Sequence, residues 1–208
     1  MFGAMNAPTK ITLSDKELEL VCNSSWILTK HAIIKKVYAL FGNAATYMQQ
    51  IVLENKVSLP AEINMYNPKI SKGENYLHLP YVMLDYPRYF TNEKILTIRT
   101  MFWWGNYFSV HLLLSGDFKT AAIESLLRNF SWLQNDDYFV SISDDPWSHH
   151  FEEGNYLHLA KCTKEDFSSI LYSKPFIKIG KILPVKHWDN APVFIETSFA
   201  GLAELLKH

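Results

Sequence analysis

The sequence predicts an α+β fold: a largely antiparallel sheet of about five or six strands, a long N-terminal helix, and helices covering one face of the sheet. Three observations predict it. Apolar residues keep helical spacing across residues 33–52, from Ile33 and Ile34 to Ile51 and Val52. From residue 59 to 115 the pattern changes to β-branched and aromatic runs separated by Pro, Gly and Asn. Beyond residue 116 helical and strand patterns are mixed, and the order helix, strands, mixed elements is that of an α+β chain.

Residues 1–13 read as a loose lead-in, and 14–208 as a single globular domain with no Gly-, Ser- or Pro-rich linker to divide it. Ser14-Asp15-Lys16-Glu17 is a capping-box pattern that opens the first helix. The stripe Val37, Leu40, Phe41, Ala44 and Met48 follows, with Gly42-Asn43 marking a place for a bend. Strands are expected near 61–66, 76–86, 94–103 and 107–115, and Lys69–Glu74 reads as a hairpin tip or loop. Links this short exclude parallel crossovers, which need a dozen or more residues. Gly116-Asp117 opens a helix striped by Ile123, Leu126 and Phe130, and 138–143 reads as a further strand. Thr163 starts a short helix, 176–183 is a strand, and Asp189 begins a last helix striped by Ile195, Phe199 and Leu202. The pentapeptide Asn-Tyr-Leu-His-Leu occurs at 75–79 and again at 155–159. The flanking residues do not match, which weighs against a duplicated half-domain.

Composition narrows the function classes. With 48% hydrophobic and 20% charged residues the chain is an ordinary globular one, and at 14% aromatic its core and any pocket wall are ring-lined. A net charge of −1 without a run of basic residues lacks the footprint of a nucleic-acid binder. Two cysteines, Cys22 and Cys162, without ligand spacing read as reduced thiols. The first dozen residues lack the basic and apolar regions of a secretory signal, and no apolar stretch is long enough to span a bilayer. The expectation is a cytoplasmic protein that engages neither membrane nor nucleic acid. No cofactor is specified, and self-association is not readable.

The hairpin of 94–103 and 107–115 carries the first candidate site. A two-residue turn at Gly105-Asn106 aligns Arg99 with Leu112 and places a guanidinium on the core face, at a cost of several kcal/mol. A three-residue loop, Trp104-Gly105-Asn106, joins the apolar rows Leu96, Ile98, Phe102 and Phe108, Val110, Leu112, Leu114 instead. A one-residue slip moves every side chain to the other face, so burial selects the odd-length loop. Arg99 then stands across from His111 and Trp103 from Tyr107, beside Ser109. An arginine fork with an imidazole amid rings suits a small anionic or aromatic ligand, with Arg99, His111, Tyr107 and Trp103 as its contacts. The structural alternative pairs Arg99 with Asp85 or Glu74 of a neighbouring strand.

The second candidate is the segment 144–158, with Asp144, Asp145, His149, His150, Glu152, Glu153 and His158. These are metal-ligand and acid–base residue types, and with Asp85 they suggest a hydrolase as the alternative function. Their spacing fits no metal motif, so no metal ligand is assigned. No GxSxG, HExxH or phosphate-loop pattern occurs.

Overall fold

Ser14 opens the first helix as its sequence requires: its hydroxyl accepts the Glu17 amide, and the Glu17 carboxylate accepts the Ser14 amide at 2.8 Å. Residues 11–54, 63 and 66–206 are described by a computed structural model. The chain packs as two units, residues 1–36 and 37–208. In the first lie α1 (Asp15–Cys22), in which no residue is buried, and the start of α2 (Ser24–Glu54). α2 runs through Gly42 as one uninterrupted helix, and its buried residues run from Val37 to Val52. No helix among the described residues is long and apolar enough to cross a membrane.

The second unit holds a seven-stranded sheet in the order β1-β2-β3-β4-β7-β5-β6, every pair antiparallel. Its strands are β1 (Lys69–Tyr76), β2 (Leu79–Phe90), β3 (Ile95–Trp103), β4 (Tyr107–Ser115), β5 (Phe139–Ser141), β6 (Tyr156–His158) and β7 (Phe176–Pro184). The helices are α3 (Asp117–Arg128), α4 (Phe130–Asn135), α5 (Lys164–Ser173) and α6 (Ala191–Glu204). The strand expected near 61–66 lies outside the described residues except for Ile63 and Tyr66, neither of which is in a strand, and the lead-in lies outside them except for 11–13. β6 has no counterpart among the expected strands, and two further elements differ from expectation. Lys69–Glu74 belongs to the edge strand β1, and 76–86 is not one strand, because the chain turns at Leu77 and His78 with φ of 49° and 66°.

The hairpin register agrees with the burial argument. Leu96 faces Leu114, Ile98 faces Leu112 and Phe102 faces Phe108, while Arg99 faces His111 and Trp103 faces Tyr107. The apolar row meets α3 and α6; the 3-10 turn of residues 185–190 lays Trp188 on Phe102 and Phe108 at ring separations of 6.0 and 5.3 Å, and Phe199 of α6 stacks on Tyr86 at 6.4 Å. Helices thus cover one face, as expected. The two pentapeptide copies fold differently. The first spans the β1–β2 turn; the second forms β6 and enters a 3-10 turn, with φ of −68° at His158.

One irregularity shapes the other face. Asp85 pairs with Arg99, but Arg88 pairs with Thr97, so β2 carries an extra residue between them. Period-two alternation would send Arg88 to the side opposite Asp85; the bulge returns Arg88 and Phe90 to the side of Asp85 and Arg99.

Candidate ligand site

The face away from the helices carries Lys69 and Ser71 of β1, Asp85 and Arg88 of β2, Arg99 of β3, Ser109 and His111 of β4, and Lys178 and Gly180 of β7. Such a row of polar groups needs partners once covered. The segment 142–155 supplies them, so the two candidate regions of the sequence form one assembly.

Two tyrosines hold the segment's backbone. The Tyr76 hydroxyl accepts the His149 amide at 2.5 Å and lies 3.0 Å from His150 Nδ1. The Tyr107 hydroxyl accepts the Phe151 amide at 3.0 Å and donates to the His149 carbonyl at 3.4 Å. Trp103 Nε1 donates to the Tyr76 carbonyl at 3.2 Å, which fixes the end of β1. Burial raises the Tyr76 and Tyr107 phenols, so both stay protonated and able to donate.

Beneath the segment lies a chain of charged and imidazole groups. Asp85 accepts a bidentate pair from Arg99, Nε to Oδ1 at 2.7 Å and Nη2 to Oδ2 at 2.9 Å. Arg99 Nη1 lies 3.2 Å from His149 Nε2. His149 Nδ1 lies 2.8 Å from Lys178 Nζ, which also donates to the carbonyls of Pro146 at 2.9 Å and Ser148 at 2.6 Å.

Valence counting assigns the protons. A guanidinium only donates, so His149 Nε2 carries the lone pair and Nδ1 the hydrogen. That hydrogen needs an acceptor, and an ammonium has none. With Nε2 accepting from Arg99, the form of Lys178 that satisfies every group is the neutral amine, its two hydrogens on the two carbonyls and its lone pair on His149. Desolvation, then the Arg99 charge, moves Lys178 well below its ordinary 10.5. Burial likewise holds His149 and His111 well below 6.5. His111 is fully enclosed: Nε2 lies 2.9 Å from Ser109 Oγ and Nδ1 lies 3.1 Å from the Tyr156 hydroxyl. Its room comes from Gly180 directly opposite, where a Cβ would stand 2.7 Å from His111 Nδ1.

Comparison with family models, curated proteins and solved structures finds no match to this chain.

Of the four residues expected to contact a ligand, Arg99 borders an open depression of about 340 Å³, shared with Lys69, Asp85, Arg88, Phe90 and Trp147. Trp147 and Phe90 flank its guanidinium, with ring centres 5.4 and 5.9 Å from Cζ. His111, Tyr107 and Trp103 are instead committed to the covered part of the face. In the segment 144–158, His149 and His150 join the assembly, whereas His158 turns to Asp137 at 3.2 Å. Among the described residues no group of three or more His, Cys, Asp or Glu side chains could hold a metal ion.

Lys178, Lys69, Arg88 and Tyr156 were not among the residues singled out from the sequence. One signal was present for Lys178: it is the single charge in the run Phe176–Gly180, whose other members are apolar or Gly.

Proposed function

We propose that the protein binds a small organic anion in the depression beside Arg99, with a ring of the ligand against Trp147. The observation that carries this reading is the charge balance of the lining: Lys69, Arg88 and Arg99 against the single carboxylate of Asp85. Arg99 uses three of its five N–H groups on Asp85 and His149, leaving two for a carboxylate or phosphate. The rings of Trp147 and Phe90 supply an apolar wall, as small-molecule sites require. Hydrolysis is the weaker reading, because Asp85 is already held by Arg99, and His149 by Arg99 and Lys178.

Thermal unfolding with benzoate, phenyl phosphate and inorganic phosphate tests the reading. A ligand at one hundred times its dissociation constant adds about 2.7 kcal/mol. The stabilisation should vanish in the Lys69→Ala, Arg88→Ala double variant, which leaves the Asp85–Arg99 pair untouched. An undiminished shift in that variant, or no shift with any of the three anions, removes the depression as a binding site.

A further inference from the structure

We infer that residues 15–36 form a docking surface for a second copy of this chain, the α1 of each copy lying along residues 24–36 of the other. α1 has no buried residue, and none occurs in α2 before Val37. Yet this stretch carries large apolar side chains in the open: Leu18 is 53% exposed, Val21 69%, Trp26 51% and Leu28 64%. Isolated exposed apolar residues are ordinary, but a contiguous helical set without a buried face marks an interaction surface.

The spacing says what kind of surface. Positions 27, 34, 41 and 48 of α2 repeat every seven residues, the period of helix against helix. Phe41 and Met48 are fully buried, whereas Ile27, on the same stripe, is 41% exposed. The stripe thus continues beyond the part of the helix that is covered.

The charges say which partner. α1 carries Asp15, Glu17 and Glu19 against Lys16, and residues 24–36 carry Lys30, Lys35 and Lys36 with no acidic residue. Each copy therefore brings an acidic helix and a basic one. A two-fold arrangement that places α1 on the partner's 24–36 matches both charge sets at once, and a self-complementary patch of this kind closes at two copies. α1 spans about 12 Å and the basic stretch about 20 Å, so one can lie within the other. An anionic membrane would attract the basic stretch and repel α1, which disfavours that occupant.

The test is molar mass in solution by light scattering on the full chain, at low and high salt. The expected result is twice the chain mass at low salt, falling toward the single-chain mass as salt is raised. Asp15→Lys with Glu19→Lys makes one variant, leaving the Ser14–Glu17 cap intact; Lys35→Glu with Lys36→Glu makes the other. Each alone should run at single-chain mass, and an equimolar mixture should recover the doubled mass, because the swapped charges match across the two chains. The unfolding transition of each variant, followed by near-ultraviolet circular dichroism, reports that the sheet unit is intact. Single-chain mass for the unaltered protein at low salt, or a mixture that stays at single-chain mass, overturns the proposal. So does co-sedimentation of the unaltered protein with phosphatidylcholine–phosphatidylserine vesicles in place of self-association.

Discussion

Lys178 Nζ and His149 Nδ1 stand 2.8 Å apart, and the neutral-amine form of the lysine puts the hydrogen between them on the histidine. The lysine is 1% exposed and spends its two N–H groups on the carbonyls of Pro146 and Ser148. It joins β7 to the covering segment through three hydrogen bonds without carrying a charge into the interior. Burying an ammonium would be the costlier solution.

Lys178→Met keeps the stem and removes all three bonds. Two carbonyls and one imidazole N–H lose their partner, and the expected loss is about 2–4 kcal/mol, read from the urea midpoint at unchanged slope. A loss under half a kcal/mol would mean that water replaces the amine at little cost.

The pH dependence has a definite sign. Lys178, His149 and His111 are all held below their ordinary values, so the unfolded chain binds more protons than the folded one. Stability therefore rises with pH, through the histidines below 6.5 and through Lys178 up to 10.5, with a ceiling of about 1.4 kcal/mol per pH unit for each group. Tyr76, Tyr107 and Tyr156 are raised above 10.0 and reverse the slope beyond that pH. Urea titrations across this range should place the maximum on the alkaline side of neutrality. Lys178→Met should flatten the rise between pH 7 and 10; a rise that persists unchanged in that variant would mean the lysine is charged.

Asp85→Ala strands the Arg99 guanidinium, whose side chain is 13% exposed, and should cost about 3 kcal/mol. Asp85→Leu combined with Arg99→Met removes both charges and should recover most of that loss. Equal destabilisation of the single and the double variant would show that the pair's worth lies in packing alone.

Gly180→Ala puts a methyl 2.7 Å from His111 Nδ1 and 2.8 Å from the Val110 carbonyl oxygen. One of these contacts is backbone, so the strand itself has to shift. The expected destabilisation is about 1–3 kcal/mol, with displaced His111 ring resonances in the NMR spectrum. An unshifted ring would show that the β4–β7 spacing gives way instead.

The β3–β4 register was legible because everything that fixes it is local: two apolar rows, one arginine and a three-residue loop. The capping box at Ser14 and the helical stripe of α2 were legible for the same reason. β1 was hidden, since Lys69, Ser71 and Gly73 offer no apolar alternation, and its turn uses Leu77 and His78 where a Gly or Asn would have announced left-handed backbone. The bulge after Asp85 leaves no periodic trace, so the presence of Arg88 beside Arg99 was out of reach. The covering segment was recognised for its histidines and the hairpin face for its arginine, as two separate regions. Their union depends on β7 lying beside β4, a pairing between residues more than sixty positions apart.

That same pairing orders assembly of the molecule. Among the described residues β5 and β6 join the sheet through β7 alone, and β7 follows both of them in the chain. Until residues 176–184 emerge, the hairpin that ends the covering segment has no neighbour to zip onto, and Lys178 does not yet exist to anchor it. A nascent chain halted ahead of Phe176 can complete the meander from β1 to β4, yet not the roof over it.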